Sequence, residues 1–319
     1  MKNNAPVVIY TYTRLDHLKK TISALQANHL AAKTDIFVVS DGPKDYAAKK
    51  QIKLLRDYVD SVDGFNAVNK IYREKNLGIS QSSLLAGEKI VSDYGKMINI
   101  EDDIVTSRNF LDFINAGLNY YECSDEVYSI SGYCHPISFP EKPDYDSWQS
   151  PWFCPWGYGV WKKQYDKIDR EFNPYYEIEK NKKKFQFLKK YGNFFHESLK
   201  SDAKKRVVLL DARIAAQMLL LGLSSVMPSK SKVLNIGLDG TGMNCSQSNR
   251  YDVDLDNGLQ REFSFYPGPL DVNRDEVIQY SQFMNGTTVD RVRRDIMRHL
   301  RDIEILRSMK KKLLGLSLP

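Results

Sequence analysis

The first hundred residues alternate between short apolar runs and longer amphipathic stretches. Residues 6–13 (Pro-Val-Val-Ile-Tyr-Thr-Tyr-Thr) are β-branched and aromatic and predict a first strand. Leu18, Ile22 and Leu25 then recur at helical spacing. Residues 35–40 predict a second buried strand running into Asp41-Gly42-Pro43, a turn tripeptide that leaves Asp41 at the strand's carboxyl end. A helix near 45–60 and a strand over 67–72 complete a third unit. Asn76-Leu77-Gly78 opens a helix carrying Leu84, Leu85 and Ile90. Met97–Ile100 is apolar again and delivers Glu101, Asp102 and Asp103 before Ile104 and Val105. Strands and helices alternating at this spacing imply a parallel sheet with helices on both faces, and ligands bind such sheets beyond the carboxyl ends of the strands.

The later pattern is less regular. Residues 128–132 read as a strand, followed by a proline-rich loop through 136–155. Residues 152–161 (Trp-Phe-Cys-Pro-Trp-Gly-Tyr-Gly-Val-Trp) read either as an aromatic core plug or as a platform that stacks on sugar rings, with Trp156, Gly157, Tyr158 and Gly159 at its centre. Residues 162–206 are rich in Lys, Tyr and Phe and predict helix. Asp211 precedes a helical face of Ile214, Met218 and Leu221, and reads either as an N-cap or as a positioned general base. Residues 226–242 predict a strand and then a glycine-rich loop holding Asp239, Gly240, Thr241 and Gly242, a composition suited to a mobile lid. From Val289 to Leu313 apolar residues recur as in an amphipathic helix, with Arg293, Arg294, Arg301, Lys310 and Lys311 at polar positions.

Charge sharpens part of this picture. The net charge is +6, and from residue 290 onward nine Lys/Arg face four Asp/Glu, a local balance of +5. The last segment therefore reads either as a helix docked on the domain or as one lying on an anionic membrane surface. A nucleic-acid partner for the whole chain is not indicated. No stretch approaches the ~20 apolar residues of a membrane span. Four cysteines without a Cys-x-x-Cys pair, and a first strand entered directly with no signal-peptide core, give the expectation of a reducing, cytoplasmic setting.

Chemistry concentrates in the acidic triplet. Adjacent carboxylates repel one another, so they persist where a cation or several donors sit among them, or where water solvates them as a surface turn. Mg²⁺ or Mn²⁺ suits such oxygen ligands and keeps positions open for phosphates. Thr11-Tyr12-Thr13-Arg14 follows the first strand where a dinucleotide fingerprint or P-loop would place glycines, so neither class is supported.

The ordered motifs Ile-Tyr-Thr-Tyr-Thr-Arg, Val-Val-Ser-Asp-Gly-Pro, Asn-Leu-Gly, Ile-Glu-Asp-Asp-Ile, Pro-Trp-Gly-Tyr-Gly-Val-Trp and Asn-Ile-Gly-Leu-Asp-Gly-Thr-Gly, spread over about residues 5–245, resemble those of GT-A-fold glycosyltransferases. The likeness is to the N-acetylglucosaminyltransferase I type and its bacterial surface-polysaccharide relatives. It implies an α/β, Rossmann-like nucleotide-sugar-binding domain over 1–245, with a nucleotide-binding half (1–105) and an acceptor half (106–245), and a C-terminal helical extension over 246–319. It also implies that Arg14 contacts a donor diphosphate, Asp41 reads uracil, Asp103 binds Mn²⁺ or Mg²⁺, and Glu101 and Asp102 border the nucleotide and sugar, with Thr11 and Asn76 beside them. Asp211 is the match for the catalytic base, although the family's preceding tryptophan is Leu210 here and the intervening segment is longer. The expected reaction is inverting transfer from a UDP-sugar to a glycan or lipid-linked glycan. The rival readings are a sugar-1-phosphate nucleotidyltransferase and a carbohydrate-binding protein without catalysis.

Overall fold

The computed structural model describes residues 4–139, 143–204, 209–240 and 248–286. The expected amphipathic helix at 289–314, and Thr241 and Gly242 of the glycine-rich loop, lie outside these residues. The first three expected strands are β1 (Val7–Thr11), β2 (Asp35–Ser40) and β3 (Ala67–Tyr72), and the apolar run before the acidic triplet is β4 (Lys96–Glu101). They pair in parallel in the order β3-β2-β1-β4. Every residue of β1 is buried, as a central parallel strand covered on both faces requires. The intervening helices are α1 (Leu15–Gln26), α2 (Tyr46–Asp60) and α3 (Ile79–Tyr94). Leu18, Ile22 and Leu25 of α1 are fully buried, as their spacing predicts. Asp45 caps α2 by accepting from the Ala48 N–H at 2.8 Å. In α3 the buried face is Ser82, Ala86, Ile90 and Val91, so Leu85 points outward rather than into the core.

The second half departs from an all-parallel sheet. The remaining strands are β5 (Ile104–Thr106), β6 (Val127–Ser131), β7 (Ser147–Ser150), β8 (Tyr158–Trp161), β9 (Ser224–Pro228) and β10 (Val233–Asn235). The large sheet continues from β4 as β8-β6-β9-β7, with β8 antiparallel to both β4 and β6 and β7 antiparallel to β9. A strand thus forms inside the stretch expected to be a proline-rich loop, where Ser147–Ser150 are all buried. The aromatic–glycine run follows the core-plug reading for most of its length. Trp152, Phe153, Cys154 and Trp161 are buried, and Tyr158 and Gly159 form part of β8.

Five helices pack around this half: α4 (Phe110–Tyr120), α5 (Lys162–Tyr165), α6 (Tyr175–Lys180), α7 (Lys182–Ala203) and α8 (Leu210–Leu221). A further helix among the described residues, α9 (Asp275–Asn285), belongs to the expected C-terminal extension. The described part of that extension lies against the main body. Asp256 pairs with Lys232 at 2.7 Å, both being almost fully buried, and it accepts from Asn109 at 3.2 Å. Phe263 and Phe265 pack on Phe113 of α4, and Ser281 and Asn285 of α9 donate to the Lys190 carbonyl of α7. Among the described residues no helix is long and apolar enough to cross a membrane.

Two details of this frame fix the site. First, β4 ends at Glu101, and the chain resumes as β5, which pairs antiparallel with β10 in a separate two-stranded sheet. Asp102 and Asp103 are therefore the turn between two sheets. Second, Gly159 brings β8 so close to α4 that a Cβ there would lie 2.6 Å from Ile114 Cγ2 and 3.0 Å from Leu118 Cδ1. Gly159→Ala is expected to destabilise the fold by about 1–3 kcal/mol through overpacking, read as a lower urea midpoint at unchanged slope.

Candidate functional site

Strand alternation sends neighbouring residues of β1 to opposite faces. The Tyr10 hydroxyl lies 3.4 Å from the Ser83 carbonyl of α3 and donates to Asn99 Oδ1 at 3.0 Å. Thr11, on the other face, donates from Oγ1 to Asp102 Oδ2 at 2.8 Å. The turn itself is pinned at both residues. The Asp102 carbonyl accepts from Thr21 Oγ1 of α1 at 2.8 Å, and the Asp103 carbonyl accepts from the Ile236 N–H after β10 at 2.9 Å. Arg14, just before α1, reaches across so that its Nη2 donates to Asp102 Oδ1 at 2.5 Å and to Asp103 Oδ2 at 2.7 Å. The two carboxylates are nearly buried, whereas the Arg14 side chain keeps a quarter of its surface open.

These groups line a cavity of about 270 Å³ beyond the carboxyl ends of β1, β2 and β4. Thr11, Arg14, Asp41, Asn76, Glu101, Asp102, Asp103 and Trp156 all border it, so the residues expected around a nucleotide converge on one hollow. Asn235 and Gly237 close it from the β10 side. A Cβ on Gly237 would sit 1.9 Å from Asp103 Oδ2, so only glycine lets this segment approach the carboxylate so closely. Among the described residues no cluster of three or more His, Cys, Asp or Glu is arranged to hold a metal ion. Asp103 Oδ1, however, is buried and accepts no hydrogen bond. Buried carboxylate oxygens are rarely left without a partner, and a hard cation taking one protein oxygen and the rest from phosphates and water fits this one.

Asp41 has a different task from its neighbours. Its carboxylate accepts from Gly42 N, Asn76 Nδ2, Leu77 N and Gly78 N at 2.8–3.2 Å. A carboxylate offers about four acceptor sites, so little capacity is left for a base. Beneath it, Arg56 donates to the carbonyls of Ser40, Asp41 and Arg73 at 3.1, 3.2 and 2.7 Å. The two loops forming this rim are thereby held together, with Gly42 packed directly on the Lys75 backbone.

The other expected site residues fall around the cavity rather than in it. Asp211 is the second residue of α8, whose cap is Leu209, and its carboxyl faces the N–H groups of Ala212 and Asp211. The helix is anchored by Arg213 to Asp202 and by Gln217 to the Asp169 segment. Asp211 lies near enough to Glu101 for their charges to repel. Tyr158 and Gly159 are inside the sheet, and Gly157 supports the turn before it with a positive φ of 72°. Asp239 pairs with His17 of α1 at 3.2 Å, and Gly240 follows it at the edge of the described residues. Tyr12 and Lys44, not singled out from sequence, also border the cavity, with Lys44 Nζ 5.8 Å from the Tyr12 ring centre. The one available signal for Lys44 was a cation three residues after the aspartate at a strand tip.

Burial dominates the electrostatics. It pushes the Glu101 carboxyl up to about 8, with Asp103 and Asp102 adding to the rise and Arg14 opposing it. Burial also raises Asp102, outweighing Arg14 and Thr11, and raises Asp211 against the pull of its helix N–H groups. For Arg14, burial works against the charge, but the two carboxylates prevail and its pKa rises.

Two outcomes are expected. A carboxyl raised in the folded state binds more protons there than in the unfolded chain. The stability contributed by Glu101 is therefore full below its ordinary value of 4.5 and is lost as pH rises through about 8. In EDTA the melting temperature should carry this decline between pH 5 and 9, and Glu101→Gln should flatten it. Asp41→Asn replaces an acceptor oxygen by a donor facing backbone N–H groups, and should cost about 2 kcal/mol in denaturant unfolding.

No family model matches the chain, and no curated protein sequence is similar to it. Solved structures give distant likenesses. One is the mannosyltransferase PcManGT from Pyrobaculum calidifontis in complex with GDP-Man and Mn²⁺, 12% identical over 51% of this chain and 46% of that one, with a TM-score of 0.36. Two structures of S. aureus TarS are 9% and 10% identical over 80% of this chain, covering 67% and 41% of theirs, with TM-scores of 0.40 and 0.41. The chain thus spans about half or less of two of these three.

Proposed function

We propose that the chain is a metal-dependent, inverting glycosyltransferase that moves a hexose such as N-acetylglucosamine from a UDP-sugar to a glycan acceptor in bacterial surface-polysaccharide synthesis. The observation that carries this reading is the meeting of Arg14, Asp102 and Asp103 in one cavity at the carboxyl edge of three parallel strands. A nucleoside diphosphate leaves easily only when the charge forming on it is stabilised. Asp103, through its unpartnered Oδ1, would hold the Mg²⁺ or Mn²⁺ ion, which supplies part of that stabilisation when bound. Arg14, a quarter exposed and bordering the same cavity, supplies the rest to the diphosphate.

On the acceptor side, Asp211 takes the proton from the attacking hydroxyl. Its burial raises its pKa toward the range useful for a general base, and the Asp202–Arg213 pair holds its helix in place. One such base, with the leaving group held on the opposite side, gives inversion in a single displacement. Trp156, half-buried on the cavity wall, offers an apolar face to the sugar. A nucleotidyltransferase would need donors from a glycine-rich first loop, where this chain has the Thr11–Arg14 segment.

The test is UDP release from a panel of UDP-sugars with Mn²⁺ or EDTA. Slow, metal-dependent hydrolysis of one donor is expected, falling at least about a hundredfold in Asp103→Ala. Asp211→Asn should lose transfer to acceptor by a similar factor while UDP binding persists. Metal-independent glycan binding with no donor cleavage would instead identify a carbohydrate-binding module.

A further inference from the structure

We propose that Arg14 is the resident counter-cation of the Asp102–Asp103 turn, and that a divalent ion enters only as Arg14 gives up its hold on Asp103. The inference rests on the reading of Asp103 as the ion's ligand. It goes beyond that reading by making Arg14 a determinant of metal affinity as well as of diphosphate binding.

The geometry sets one positive group against two negative ones. A single nitrogen, Arg14 Nη2, bridges Asp102 Oδ1 and Asp103 Oδ2, and Thr11 satisfies Asp102 Oδ2. Asp102 therefore has both oxygens engaged. Asp103 has one oxygen on Arg14 and the other, Oδ1, buried without a partner. A cation approaching Oδ1 meets a guanidinium already held at the same carboxylate, and two positive charges on one buried carboxylate repel each other strongly. The backbone leaves no slack to relieve this. Thr21 and Ile236 hold the turn from either side, and Gly237 abuts Asp103 with no room for even a methyl group. Arg14, by contrast, is partly exposed and sits on a mobile-length side chain, so it is the member that can move.

Two consequences follow. Without nucleotide, the protein holds Mn²⁺ weakly because Arg14 competes for Asp103. A diphosphate attracts the guanidinium into the cavity and thereby favours ion entry, so nucleotide and metal assist each other, a coupling that is reciprocal by linkage. Removing Arg14 leaves two buried carboxylates uncompensated, which destabilises the metal-free fold and makes ion binding more favourable.

The experiment titrates the full-length protein with Mn²⁺ alone and follows the free ion by electron paramagnetic resonance. Arg14→Met and Arg14→Gln are expected to bind Mn²⁺ about tenfold or more tightly than the parent, a shift of about 1.4 kcal/mol. In EDTA both should melt lower than the parent and recover more on adding Mn²⁺. Adding Asp103→Asn to either should abolish the gain. Lys44→Met removes another cation bordering the cavity and should change affinity less than about twofold, since Lys44 lies over Tyr12 rather than on the turn. Unchanged or weaker binding in both Arg14 variants overturns the proposal, as does an equal gain in Lys44→Met, which would reduce the effect to general field. If the Arg14 variants fail in this way while Asp103→Ala still abolishes metal-dependent donor cleavage, the competition is wrong and the transferase reading stands. If Mn²⁺ does not reach Asp103 even with UDP present, both fall together.

Discussion

A single guanidinium nitrogen lodged between two buried carboxylates governs how the strand tips of this protein meet. Asp102 and Asp103 lie where the chain leaves one sheet for another, and two adjacent carboxylates in a buried turn repel one another unless a cation sits between them. Arg14 supplies it from the start of α1, so β1, β4, β5 and the first helix are tied at one point. The cavity borders that point, and Asp41 and Arg56 tie the neighbouring loops together beside it.

The division of labour among the carboxylates follows from their surroundings rather than their spacing. Asp41 has its acceptor sites filled by backbone and amide N–H groups and serves the architecture of the rim. Asp103 retains a bare oxygen. Glu101 is pushed up by burial among like charges, which opposes adding another negative charge at the turn. Asp211 stands apart on a separately anchored helix. Four acids thus arrive at four distinct surroundings.

Much of the first half was legible in the sequence because the inner parallel strands β1, β2 and β4 are written as β-branched, apolar runs, and β2 and the edge strand β3 match their expected limits. Most of the site residues there were legible for the same reason, since Thr11, Arg14, Asp41 and the acidic triplet lie at or just beyond the ends of such runs, whereas Asn76 stands four residues past β3. The second half was harder. Ser147–Ser150 has almost no apolar signature, and it becomes a strand only because β9 pairs with it. The aromatic–glycine segment carried two readings, and packing chose between them residue by residue: Trp156 faces the cavity while Tyr158 and Gly159 are taken into β8. Leu85 and Leu221 satisfied a helical period yet point outward, because neighbouring Ala86, Ile90 and Met218 fit the available space. The saturation of Asp41 depends on N–H groups some thirty-five residues away and leaves no mark on local sequence.

Whether a diphosphate and its ion gather at the Arg14–Asp103 turn is decided by a crystal structure with UDP and Mn²⁺, with the metal located by its anomalous signal. The expected result is Mn²⁺ held by Asp103 Oδ1, with Arg14 turned from Asp103 onto the phosphates. A diphosphate bound elsewhere, or an ion that leaves the Arg14 bridge to Asp103 intact, would contradict it.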